Sequence, residues 1–209
     1  MPAVHDRRHF LLLGYGAALA GSSALAQTQA RRNTRSPEAE AFVAIQAQAV
    51  LTVLGDSRLS VAQKAAAFRR LLDQIADVPR ISNFVLGKYA RTITPAQRAQ
   101  FNTAFRAYAE NVYESRISDF RGETLKVTGS VARTPGDVVV DTQVVGRGRS
   151  PIPVSWRVLG GGGSWKVVDV RISGVWLAIT QQQDFVSTID NAGGDIGVLI
   201  AQLRRNPKP

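Results

Sequence analysis

SWKVVDVRISGVWLAITQQQDF, residues 164–185, changes period in its middle. Up to Ser173 apolar and polar residues alternate, with Val168, Val170 and Ile172 on one face and Trp165, Val167, Asp169 and Arg171 on the other, as in a strand with one covered side. Past Gly174 the alternation gives way to helical spacing, and no charge appears until Asp184. The preceding run LGGGGS, residues 159–164, is turn chemistry, so the strand is the second arm of a hairpin. A sheet edge that passes into an apolar helix predicts a pocket between them. Gly174 is the expected hinge, because a residue without Cβ leaves the backbone free there.

Upstream, turn signals cut a period-two region into three more strands, Glu123 to Arg133, Asp137 to Gly146 and Ile152 to Gly160. Ile152, Val154, Trp156 and Val158 share one face of the third. Downstream, Trp176 to Asn191 and Asp195 to Leu203 read as helices split by Gly193-Gly194. Before the sheet the chain is helical. Ser36-Pro37-Glu38 supplies an N-cap, an N1 proline and a first-turn acid for a helix carrying Phe42, Ile45, Ala49 and Val53. Ser60 and Gln63 have capping-box spacing ahead of Phe68, Leu71, Leu72 and Ile75. ISNFVLGKYAR, residues 81–91, is a short amphipathic segment. Thr94, Pro95 and Gln97 then open a helix that places Phe101, Phe105, Tyr108 and Val112 on one face and runs to about Asp119. Helices, a curved four-stranded antiparallel sheet and closing helices make an α+β plan.

The chain has 209 residues, 44% of them hydrophobic, which suits one ordinary domain with an appendage. The appendage is the start. In MPAVHDRRHFLLLGYGAALAGSSALA, Arg7 and Arg8 precede an uncharged run that ends in Ala24-Leu25-Ala26, the pattern of an export signal cleaved after Ala26. The twin-arginine type is the one it resembles, with Asp6 where that motif prefers Ser or Thr. A retained membrane anchor is the competing reading, disfavoured by the Gly and Ser content of the run. Residues 27–35 form a polar, basic lead-in, and residues 36–205 the single domain.

Cysteine is absent, and His5 and His9 are the only histidines. Cleavage after Ala26 removes both, so the exported chain has neither of the two most versatile catalytic side chains, and no metal or cofactor site is expected. This weighs against an enzyme. The loss of Asp6, Arg7 and Arg8 changes the net charge from +10 to +9. A basic exported protein meets membranes and partner complexes, not nucleic acid.

The segments LGKYARTITPAQRAQF, SDFRGETLKV, PVSWRV and GSWKVVDVRISGV, in this order and spacing, resemble the periplasmic lipid-binding component of the maintenance-of-lipid-asymmetry pathway, the toluene-tolerance or ABC-transporter auxiliary family. The resemblance runs from about Glu38 to Arg204. It implies an NTF2-like fold around an apolar cavity for phospholipid acyl chains. It also implies a carrier working between an outer-membrane lipoprotein-porin complex and an inner-membrane ABC transporter with a ring-shaped lipid-binding subunit. A related branch implies a hopanoid or other polycyclic lipid as alternative cargo. Shared faces and family position together give the expected wall: Phe101, Phe105, Tyr108, Val112, Val154, Trp156, Val170, Ile172, Val175 and Phe185.

A carrier is physically sufficient. Each buried methylene contributes about 0.8 kcal/mol, so an acyl chain of about 16 carbons faces roughly 12 kcal/mol on crossing water unshielded. Bound lipid would be cargo, and no side chain need react. The competing enzyme reading needs a pocket carboxylate on this fold, for which Asp141 and Asp169 are the strand-centre acids; the simpler expectation for Asp169 is an ion pair with Arg171 or a cross-strand arginine.

Overall fold

The structure, a computed structural model, describes residues 35–114, 122–146, 148 and 150–205. The expected export signal over residues 1–26, most of the expected lead-in and the stretch toward Asp119 lie outside the described residues. Among the described residues, helix α1 (Pro37–Gly55), α2 (Val61–Ile75), α3 (Val78–Val85), a 3-10 turn (Gly87–Arg91) and α4 (Pro95–Glu114) come first. Strands β1 (Thr124–Thr134), β2 (Asp137–Val145), β3 (Ile152–Gly161), β4 (Ser164–Ile172) and β5 (Val175–Trp176) follow. Helices α5 (Leu177–Asn191) and α6 (Ile196–Arg205) close the chain.

The starts of α2, α3 and α4 follow their capping residues. Ser60 Oγ accepts from Gln63 N at 3.2 Å while Gln63 Oε1 accepts from Ser60 N at 2.8 Å, a complete capping box. Thr94 and Gln97 repeat it on α4 at 3.2 and 2.9 Å. Asp77 caps α3, with Pro79 in its first turn. The amphipathic segment 81–91 is the end of α3 plus the 3-10 turn, where Gly87 has φ +54° and a Cβ would stand 2.8 Å from Val186 Cγ2 of α5.

All five strands pair antiparallel in the order β1-β2-β3-β4-β5, an open meander. Helix α1 runs along the β1 edge and protects it: Gln48 Oε1 accepts from Leu125 N, and Ser130 Oγ accepts from Ser36 N, both at 2.9 Å. Ala39, Val43 and Ala47 of α1 pack on the inner sheet face with Val138, Val140, Val158, Trp165 and Val167. A second core is helical, built on Val85, Leu86, Phe101, Phe185, Ile189 and Leu199.

Two features of the sheet differ from the expectation of four uniformly alternating strands. A register shift between Arg157 and Val158 pairs Val158 with Val167 and Arg157 with Asp169, leaving Val168 as an extra residue. This bulge breaks the alternation, so Trp165 and Val167 join Val170 and Trp156 on the face covered by α1 rather than the opposite one. The other is β5. Ile172 pairs with Val175 and Arg171 with Trp176 around Ser173 (φ 49°) and Gly174 (φ 90°), the two left-handed residues of a tight hairpin turn. The chain therefore returns along the sheet for two residues before α5 begins at Leu177.

Candidate lipid site

The aromatic face of α4 meets α5. Phe101 and Phe105 stack with centroids 5.6 Å apart and planes 5° from parallel. Phe185 of α5 stands edge-on to both, at 5.9 and 5.8 Å, and to Tyr108 at 6.3 Å. Phe101 and Phe185 are buried, whereas Phe105 and Tyr108 are only partly covered, so the cluster opens along α4 toward its C-terminal half. Burial, with Asp184 nearby, raises the Tyr108 phenol above its ordinary value.

The inner sheet face supplies the second surface. Trp156 and Val170, paired across β3 and β4, are partly buried against the α1 cluster. The Trp156 indole donates to Thr142 Oγ1 at 3.0 Å, and that hydroxyl donates to the Val154 carbonyl at 2.8 Å, which satisfies both groups, whereas the buried Trp165 indole N–H on the same face has no partner among the described residues. Beyond buried Val154 the same face continues through the pairs Val154–Ile172 and Ile172–Val175, and there it is open: Ile152, Ile172 and Val175 are 43, 40 and 51% exposed. Leu177 and Ile179, at the start of α5, are exposed beside them in the chain.

Nine of the ten expected wall residues thus fall into three groups. Phe101, Phe105, Tyr108 and Phe185 form the helical cluster; Trp156 and Val170 belong to the sheet cluster; Val154, Ile172 and Val175 lead along the sheet to its open end. The Val112 side chain lies outside the described residues. Gly174 occupies the β4–β5 turn, and a Cβ there would meet nothing within 4 Å.

The two strand-centre acids have other partners. Asp141, on the outer face, accepts from Ser155 Oγ at 2.5 Å and pairs with Arg171 at 3.4 Å, and the Arg171 guanidinium lies 5.2 Å from the Trp176 ring centroid. Asp141, Ser155 and Arg171, with Thr128, Gln143, Pro153 and Gly174, line a depression of about 380 Å³. Asp169 does not pair with Arg171. Its Oδ1 instead accepts from Val170 N at 2.7 Å and from Ala178 N, in the first turn of α5, at 2.9 Å. Burial raises its carboxyl above the ordinary value, while these two bonds and the Arg157 charge act in the opposite sense. Sequence reasoning missed this contact; the signal was a helix starting at Leu177 with no capping side chain of its own.

Residues 45–205 match the sequence model of the family described as MlaC protein. The chain belongs to that family. A relative, the toluene tolerance protein ttg2D of Pseudomonas putida, is 24% identical over 131 residues, which are 62% of this chain and 61% of that protein's length. Among solved structures, the phospholipid-binding protein from Ralstonia solanacearum, determined in complex with a phospholipid, is similar with a TM-score of 0.69 and 29% identity over 80% of this chain and 96% of that one. That similarity extends over the elements described above, the helical aromatic cluster and the apolar sheet face, which the β5–α5 segment joins in the chain.

Proposed function

We propose that this chain is a periplasmic lipid carrier, exported with cleavage after Ala26, that binds phospholipid acyl chains and passes the lipid between an outer-membrane lipoprotein-porin complex and an inner-membrane ABC transporter. The observation that carries this reading is the inner sheet face. Its apolar run from Trp156 and Val170 ends in exposed Ile152, Ile172 and Val175, in a fold shared with a chain solved around a phospholipid. Exposed aliphatic side chains side by side at the end of a sheet face are costly unless something apolar covers them. An acyl chain laid along that row and against the rings of Phe105 and Tyr108 meets mainly hydrocarbon, and no step of bond making is needed. Helix α5 is the closing element, and Gly174 is its hinge.

The experiment is lipid extraction and native mass spectrometry of protein purified from a bacterial periplasm. A stoichiometric phospholipid is expected; a polycyclic lipid would redirect the cargo to the hopanoid alternative. Protein that purifies without lipid and takes none from phosphatidylglycerol vesicles would end the carrier reading. Ile172→Lys tests the surface itself. Because Ile172 is 40% exposed, a charge there is expected to cost about 1 kcal/mol or less in stability but to weaken lipid retention severalfold.

A further inference from the structure

We infer that Asp169 is the positioning residue of the lipid site: its carboxylate, reaching out of β4, holds the first turn of α5 and thereby sets where Phe185 stands against Phe101, Phe105 and Tyr108. The inference rests on the carrier reading above and adds to it a residue outside the apolar wall.

Helix α5 begins without a cap of its own. Trp176, at its N-cap position, makes no side-chain capping bond, and the first turn contains no acid. The first N–H groups of a helix need acceptors, and the positive end of the helix dipole favours an anion. Asp169 supplies both from nine positions earlier in the chain, accepting from Ala178 N at 2.9 Å. The same Oδ1 accepts from Val170 N at 2.7 Å, which fixes the carboxylate relative to the strand, so strand and helix are joined through one oxygen atom. Only 7% of the residue is exposed. Arg157, its register partner on β3, is committed to Asp137 by two bonds of 3.0 and 2.9 Å, so it does not draw the carboxylate away.

The consequence for the site follows from helix geometry. Ala178, Phe185 and Ile189 lie on one buried face of α5, at spacings of seven and four residues. Ala178 carries the capped N–H, and its side chain belongs to the same core cluster as Phe185. A shift or rotation of the first turn is therefore transmitted two turns along a rigid element to the ring that meets three aromatics of α4. The turn at Ser173 and Gly174 and the two pairs of β5 leave only a short connection between strand and helix. Asp169 is the side-chain bond that spans it.

The test compares wild type with Asp169→Ala, Asp169→Asn and Asp169→Glu, using Ser60→Ala, which removes the capping box of α2, as a control for general destabilisation. Asn keeps the oxygen that accepts both bonds; Glu keeps the charge but displaces it by a methylene. Release of fluorescent phosphatidylglycerol to acceptor vesicles is expected to quicken about tenfold in Asp169→Ala, less in Asp169→Glu, and to stay within about twofold of wild type in Asp169→Asn and Ser60→Ala. Hydrogen exchange on the lipid-free proteins is expected to rise over residues 177–185 in Asp169→Ala while residues 196–203 keep their protection. Equal release from Asp169→Ala and Ser60→Ala, or unchanged exchange over 177–185, would overturn the inference. If Asp169→Ala does not fold, the contrast between Asp169→Glu and Asp169→Asn decides it, and equal release from those two overturns it. A wild type that binds no phosphatidylglycerol would instead remove the carrier reading, an outcome the release assay shows before any variant is compared.

Discussion

At the scale of single residues, Asp169 and Gly174 respond to opposite tests. Asp169→Ala leaves two backbone N–H groups without their acceptor, and a loss of about 1–2 kcal/mol is expected in denaturant unfolding. Asp169→Asn keeps Oδ1 and removes the charge, so its pH profile isolates the carboxyl. The folded-state value is raised above the ordinary 3.8, so protonated Asp169 favours the folded state. That contribution is fully present below pH 3.8 and is lost as pH rises through the raised folded value. The stability of wild type relative to Asp169→Asn is therefore expected to fall from pH 3 to pH 7. Taking the difference removes the opposite effect of carboxylates held low by their partners, such as Asp56 beside Arg58, at about 2. At Gly174 the φ of +90° disfavours a β-branched residue, and no neighbour would clash with its Cβ. Gly174→Val is expected to cost about 1–2 kcal/mol through backbone strain alone. As a hinge, Gly174 would also slow lipid exchange beyond what the melting curve explains; unchanged exchange in folded Gly174→Val would leave it a turn residue only.

At the scale of elements, the sequence was most legible where structure is decided within four residues. The capping residues Ser36, Ser60 and Thr94 mark three helix starts, and strand limits fall within one residue of the period-two runs because Gly and Pro punctuate them. What was not legible depends on contacts between elements. The bulge at Val168 is dictated by pairing with β3, and it alone moves Trp165 and Val167 to the α1 face. Likewise β5 exists only because Val175 finds Ile172 across a two-residue turn, and the cap of α5 comes from a strand nine residues away. The candidate wall was legible in its faces but not in its grouping, since periodicity assigns a side chain to a face without saying which neighbour covers it. Phe185 is where two elements depend on one side chain. Phe185→Ala removes the ring that three aromatics of α4 contact, so a loss of about 3–4 kcal/mol is expected by chemical denaturation. Phe185→Leu, which keeps most of the volume, is expected to retain lipid better than Ala at less than half that cost.

For the whole molecule acting as the proposed carrier, charge and apolar surface act at different stages of transfer. Leaving water governs how long lipid stays bound, and it depends on the buried aliphatic area, which salt changes little. Finding a membrane is an electrostatic matter for a chain whose net charge is +10, or +9 with the proposed cleavage after Ala26. Long-range attraction to an anionic bilayer raises the encounter rate and is screened over about 10 Å at 0.1 M salt. Transfer to phosphatidylglycerol vesicles is therefore expected to slow severalfold between about 0.02 and 0.2 M salt, while transfer to phosphatidylcholine vesicles changes by less than about twofold. Stopped-flow measurement against both vesicle types checks this, with Ile172→Lys as the complementary variant. That substitution adds a positive charge, so it is expected to weaken retention in both lipids without reducing the salt dependence of encounter. Salt-independent transfer to the anionic vesicles would mean that the basic surface takes no part in delivery, and that contact through the open end of the sheet around Ile152, Ile172 and Val175 sets the rate instead.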